Sequence, residues 1–260
     1  MIGILGFGRF GKLMVHYLAG EFEVMVYNRS DSAHEIMASG AKPVSLDVAC
    51  RQKIIILSVP ISVFHETLKT IAPLLAPDAL VVDVCSVKEY PVRLMKALLP
   101  EQVSILATHP MFGPDSAAHE LKGRKIVLCG ERIGDSAYQK IKSYLMSKEL
   151  TVIETTPEAH DRQIAVSLAL THFIGRSLAE FGATPLDVDT EGYQRLLHVL
   201  GVVENDTWQL FEDLNIYNRS AAEGRSACMA AVLSMRQRLV LGGERRFVGW
   251  VGCWRGGVRG

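Results

Sequence analysis

A chain of 260 residues that is 48% apolar and 22% charged can bury one large core or two modest ones. Its 28 lysines and arginines balance its 28 aspartates and glutamates, and a sequence pI near 7.1 leaves no electrostatic footprint for nucleic acid or a membrane surface. The five cysteines (Cys50, Cys85, Cys129, Cys228 and Cys253) are odd in number and lack metal-ligand spacing, which argues against a disulfide framework or a metal centre.

The apolar run 2–5 predicts a first strand. Directly after it comes Gly6-Phe7-Gly8-Arg9-Phe10-Gly11, a G-x-G-x-x-G. Its first glycine permits a tight turn, its second lets the backbone approach a pyrophosphate, and its third allows close helix–strand packing. The helix predicted over 9–18 brings its positive end to that phosphate. A second strand over 22–27 ends where a ribose-reading residue belongs. That position reads Tyr27-Asn28-Arg29-Ser30, with no carboxylate before Asp31. Asn28 removes the repulsion that would exclude a 2′-phosphate, and Arg29 and Ser30 can bind one, so NADP is expected, with NAD as the alternative.

A helix over 32–39 stops at Gly40, and a strongly apolar strand over 53–59 stops at Pro60. Ser58, Val59 and Pro60 therefore join the glycine segment as cofactor-binding candidates. Helices over 62–75 and 88–98 alternate with strands over 79–84 and 103–108. A strand over 125–129, a helix over 136–146 and a strand over 151–154 complete the alternation. The expected fold class is α/β: residues 1–155 form a Rossmann dinucleotide-binding domain whose mainly parallel sheet is covered on both faces.

Strand signals cease near Pro157, and helical spacing takes over in 158–181, 192–200, 206–218 and 221–239. Residues 156–241 are therefore expected to form an all-helical domain for substrate binding and dimerisation. The last stretch, 242–260, mixes glycine, arginine and tryptophan without periodicity and predicts a disordered tail. With the first strand beginning at Ile2, no signal or transit peptide is expected. No apolar run approaches the ~20 residues that span a bilayer. A cytoplasmic protein without a membrane partner is expected.

The segment from Ala107 to Ser116, ATHPMFGPDS, carries the chemistry. His109 is expected at the carboxyl end of the strand over 103–108, the edge of an α/β sheet where ligands collect. The prolines and glycine that follow predict a turn presenting the imidazole to a cleft. A positioned histidine titrates near neutrality and can accept a proton. Ser86 stands three residues before Glu89 at capping-box spacing, so helix capping and substrate contact are both open to it.

The glycine segment, Asp83 to Pro91 (DVCSVKEYP), Thr108 to Pro114 (THPMFGP), Ala159-His160-Asp161, Thr171-His172, Thr190 to Tyr193 and Tyr217-Asn218 together resemble the prephenate/arogenate dehydrogenase family of tyrosine biosynthesis. The plant arogenate type is the most similar, over roughly residues 1–240. The resemblance implies oxidative decarboxylation of arogenate or prephenate to tyrosine or 4-hydroxyphenylpyruvate, with hydride transfer to NADP or NAD. It implies catalytic roles for His109 and Ser86, a substrate pocket of Ser86, His109, His172 and Thr171, and a homodimer. His160 and Asp161 match a family motif but begin a long helix, where helix initiation is the expected role. Many bacterial relatives bind the ring carboxylate with an arginine, yet Val203 to Gln209 contains none. A β-hydroxyacid-type NADP dehydrogenase would need a lysine on the first long helix, and residues 163–180 have none. A non-catalytic dinucleotide-binding relative would lose Ser86 or His109, and both are present.

Overall fold

A computed structural model describes the backbone of residues 1–254 and the side chains of residues 1–240. Eight strands form one sheet: β1 (Ile2–Leu5), β2 (Val24–Tyr27), β3 (Lys42–Pro43), β4 (Ile54–Leu57), β5 (Leu80–Asp83), β6 (Ser104–Pro110), β7 (Lys125–Arg132) and β8 (Thr151–Glu154). Their order is β3-β2-β1-β4-β5-β6-β7-β8, and every neighbouring pair is parallel except β6 and β7. The mainly parallel Rossmann arrangement read from the sequence is thus present. Helices α1 (Arg9–Leu18), α2 (Ala33–Ala38), α3 (Leu46–Cys50), α4 (Phe64–Ile71), α5 (Glu89–Leu98) and α6 (Asp135–Ser147) cover the sheet.

Strands with apolar residues at every position need cover on both faces. Ile55, Leu57 and Val81 point into a core shared with Phe64, Leu68 and Met95. The alternate positions, Ile56, Leu80 and Val82, point the other way, into a core with Ile4, Val15 and Val26. The strand order reverses between β1 and β4, so the crevice outside their carboxyl ends is the natural ligand site.

The second domain comprises α7 (Pro157–Ile164), α8 (Leu170–Phe181), α9 (Glu191–Glu204), α10 (Trp208–Tyr217) and α11 (Ala221–Trp254). Where one helix was expected over 158–181, a π-helical segment, Ala165–Ala169, separates α7 from α8. Ser167 Oγ donates to the Gln163 carbonyl and Thr171 Oγ1 to that of Ser167, and such back-bonding competes with the regular ladder. Gly175 lets α9 pack closely on α8, since a Cβ there would lie 2.5 Å from Val203 Cγ2. Pro157–Phe181 is, by length and mean hydropathy alone, apolar enough to cross a membrane, which the sequence reading missed. In this fold its His160, Asp161 and His172 are buried against the rest of the protein.

Helix α11 runs to Trp254, past residue 242 where the tail was expected to begin, and 255–260 lie outside the described residues. Once a helix is nucleated, each further residue adds a hydrogen bond at little cost, so glycines slow propagation without forbidding it.

Candidate active site

The carboxyl ends of the strands open onto a cleft of about 630 Å³ beneath the second domain. The glycine loop and Ser58, Val59 and Pro60 line one side, Ser86, His109 and the Met111 to Pro114 loop another, and Leu168, His172, Asp206 and Leu210 the roof.

Gly6 has φ +103°, and a Cβ there would sit 2.2 Å from the Ser58 carbonyl oxygen. A Cβ at Gly11 would sit 2.2 Å from the Gly6 carbonyl oxygen. Gly8 is the reverse case, with open space where its Cβ would be. It precedes α1 without a side-chain cap, so the first-turn N–H groups remain available. This is a cradle into which a pyrophosphate fits. Phe7 turns its ring into the core, and its N–H donates to Asn28 Oδ1 at 3.1 Å. Asn28 Nδ2 donates to the hydroxyls of Ser30 and Ser32, both at 2.9 Å. Asn28 therefore orders the loop on which Arg29 and Ser30 stand exposed. Phe10 lies near Phe112, with ring centroids 6.5 Å apart. The guanidinium of Arg9 donates to Asp115 Oδ1 at 2.7 Å and to the Asn205 carbonyl at 2.6 Å. Its side chain thus ties the glycine loop to the second domain, while its backbone N–H stays among the first-turn donors at the cleft.

His109 stands at the carboxyl end of its strand, as expected, but one residue within β6 rather than just past residue 108, opposite Val127 of β7. The antiparallel hairpin explains this, because pairing with β7 extends β6 to Pro110. His109 is buried, and its Nδ1 lies 2.9 Å from His160 Nε2. His160 Nδ1 lies in turn 2.7 Å from Asp161 Oδ1. The carboxylate of Asp161 accepts the N–H groups of Lys88 at 2.8 Å and Glu89 at 2.9 Å, at the start of α5. Asn218 Nδ2 donates to the Asp161 carbonyl at 2.8 Å. Burial, reinforced by His160 and Lys88, holds the His109 pKa well below the usual histidine range. A neutral imidazole in a cleft is a ready proton acceptor.

Two expectations are overturned by these contacts. His160 and Asp161 do not initiate α7: Thr156 caps it, accepting the Ala159 N–H at 3.2 Å, with Pro157 in the first turn. Ser86 does not cap α5, because Asp161 reaches those N–H groups across the fold. Ser86 Oγ is buried, lines the cleft and has no hydrogen-bond partner within the described residues. An orphaned buried hydroxyl that faces a cleft is free to bond a ligand or a water there.

Behind Ser86 and His109 lies a feature the sequence reading missed. Lys88 is fully buried, and its ammonium donates to Asp83 Oδ1 and to the Thr108 carbonyl. Thr108 Oγ1 closes the set by donating to the Asp83 carbonyl at 2.7 Å. A lysine five residues beyond a strand-ending aspartate was the available signal. These bonds lock the ends of β5 and β6 together and fix the two cleft side chains.

From above, His172 lines the cleft with Nε2 3.5 Å from Asp206 Oδ2 and Nδ1 unpartnered. Burial lowers its pKa, against the pull of Asp206. Thr171 does not join it. Adjacent helical residues point about 100° apart, and the Thr171 hydroxyl bonds the Ser167 carbonyl at 2.6 Å, away from the cleft lining. Arg195 pairs with exposed Glu191, and Arg219 lines a separate cavity, so neither reaches this site.

Residues 24–154 match the family model described as prephenate dehydrogenase, nucleotide-binding domain, and residues 177–245 that of a TYRAAT1-like, C-terminal domain. The chain is 32% identical over 251 residues to arogenate dehydrogenase 2, chloroplastic, of Arabidopsis thaliana, covering 92% of this chain and 69% of that protein. The chain belongs to the prephenate dehydrogenase family. It is also 32% identical over 248 residues to arogenate dehydrogenase 1, chloroplastic, of the same plant, of whose length it spans 39%. The crystal structure of prephenate dehydrogenase from A. aeolicus, in complex with hydroxyphenyl propionate and NAD+, superposes with a TM-score of 0.74 at 18% identity, covering 97% of this chain and 94% of that one. The family model begins at Val24, so the glycine loop lies outside its match and stands on its own geometry.

Proposed function

We propose that this protein is an NAD(P)-dependent dehydrogenase that oxidatively decarboxylates arogenate or prephenate, with NADP preferred. The carrying observation is His109, neutral, buried and backed by His160, on the wall of the cleft beside the glycine loop. Gly6, Gly8, Gly11 and the start of α1 would hold the cofactor pyrophosphate, with Arg29 and Ser30 at its ribose end. When bound, the nicotinamide supplies the hydride acceptor. His109 accepts the hydroxyl proton of the cyclohexadienol ring as hydride leaves the same carbon; loss of carbon dioxide then makes the ring aromatic. Ser86 hydrogen-bonds that hydroxyl and keeps it on the imidazole.

Charge in the cleft favours arogenate. Among the described lining residues, Arg9 is the sole lysine or arginine and already pairs with Asp115, whereas Asp206 and Asp213 are acids. Such a lining suits a substrate carrying an ammonium better than a dianion. It also lacks the lysine that a β-hydroxyacid dehydrogenase would use. Turnover of arogenate and prephenate, each with NADP and NAD, tests the assignment, and failure with all four combinations overturns it.

Assembly as a homodimer is part of the same proposal. Phe181, Val188, Val202, Ile216, Leu233 and Leu239 of the second domain are exposed in the single chain. A monomer by light scattering at micromolar concentration, with activity intact, would count against it.

A further inference from the structure

We propose that His160 and Asp161 are positioning residues that fix His109 as its Nδ1–H tautomer, leaving Nε2 as the proton acceptor in the cleft. The proposal deepens the dehydrogenase reading, on which it rests for the identity of the proton donor. It starts from a count of protons along the chain of contacts His109 Nδ1, His160 Nε2, His160 Nδ1 and Asp161 Oδ1, at 2.9 and 2.7 Å. Both oxygens of Asp161 accept backbone N–H groups, those of Lys88 and Glu89. A carboxylate occupied in this way acts as an acceptor, so the proton of the 2.7 Å contact belongs to His160 Nδ1.

With the His160 proton on Nδ1, its other nitrogen, Nε2, is the acceptor, and the proton of the 2.9 Å contact belongs to His109 Nδ1. The remaining nitrogen of His109, Nε2, is left unprotonated. When it takes the substrate's hydroxyl proton, the O–H bond breaks, the Nε2–H bond forms and the ring becomes imidazolium. That cation stays hydrogen-bonded through His160 to the Asp161 charge, and no second proton transfer is needed. The logic is that of a base oriented by a third group, here extended by one imidazole.

The wiring is rigid at each end. Asp161 is fully buried and anchored to α5 and Asn218, and His160 is 3% exposed. His109 is also faced by Lys88 and Asp83 from behind, and by His172, Asp206 and Asp213 across the cleft. None of these hydrogen-bonds its Nδ1, so the tautomer depends on His160.

Nitrogen-15 NMR of histidine-labelled, NADP-bound enzyme reads the tautomer directly, without any variant. Protonated Nδ1 and bare Nε2 on His109 are expected; Nε2–H, the result if His160 is doubly protonated and donates, overturns the proposal. His160→Leu should release the tautomer and lower kcat by on the order of 10²-fold, with NADP affinity and the substrate KM little changed. It should also move the acidic limb of kcat/KM, because His160 both accepts the Nδ1–H and helps set the protonation of His109. His160→Gln, whose amide oxygen can accept the Nδ1–H, should restore much of kcat and the limb. Equal loss in both variants with an unmoved limb would mean a packing role and would also overturn it. The expected tautomer in an enzyme that turns over neither substrate would instead sink the dehydrogenase reading alone.

Discussion

Replacing Lys88 by methionine tests how the floor of the cleft is held together. The Lys88 ammonium and the Asp83 carboxylate are both 0% exposed. Methionine fills much of the same volume but leaves Asp83 with the Cys85 N–H on Oδ1 at 2.9 Å and no partner on Oδ2. Removing one member of a buried pair costs about 3–5 kcal/mol. At roughly 2–4 °C per kcal/mol for a chain of this size, the melting temperature should fall by on the order of 10 °C.

The loss should also depend on pH. Burial already raises the Asp83 pKa, against the pull of Lys88, and without the ammonium it must rise further. A group whose folded pKa is raised contributes its stability below the unfolded value, about 3.9 for Asp, and loses it as pH rises through the folded one. The variant's deficit is therefore smallest in acid and complete at neutral pH. Asp83→Asn combined with Lys88→Met removes both charges and should recover part of the loss. Urea unfolding of the cofactor-free enzyme at pH 5 and pH 8 measures all of this. A deficit under about 1 kcal/mol, below the range for broken buried pairs, or one equal at the two pH values, would refute the reasoning.

His109 must be neutral to act, and burial holds its pKa well below the ordinary histidine value of about 6.5, so kcat/KM should stay level down to that pH and fall only beneath it. An acidic limb at or above that value in the pH–rate profile would contradict the burial argument. Gly8→Ala places a methyl in the open cradle, so it should weaken NADP binding by titration while leaving the unfolding midpoint unchanged. Gly11→Ala drives a methyl against the Gly6 carbonyl and should lower both; overpacking of this kind typically costs about 1–3 kcal/mol. Arg29→Ala should shift the NADP/NAD ratio of kcat/KM towards NAD, and an unchanged ratio would remove Arg29 from cofactor recognition.

What the sequence revealed, and what it hid, follows the range of the forces involved. The glycine cradle was legible because its function is local: Gly6, Gly8 and Gly11 act through backbone conformation within six residues, directly after an apolar strand. The mainly parallel sheet was legible because buried strands are apolar at every position. Strand β3 and helix α3 went unread because two and five residues are too short for a periodic signal. Within the site, His109 and Ser86 came from motifs, but their support did not. The His109–His160 contact spans 51 positions, and the bond from the Lys88 N–H to Asp161 spans 73. No local pattern reports such pairs. Each instead left the mark of a local rule broken: a wholly buried lysine, two polar residues on the buried side of α7, and a Ser-x-x-Glu that caps nothing. Where a sequence breaks its own local rules inside a strong motif, a partner distant in the chain is supplying the compensation. In this fold those partners converge on a single imidazole, so the residues least explicable from sequence are the ones that hold His109 in place.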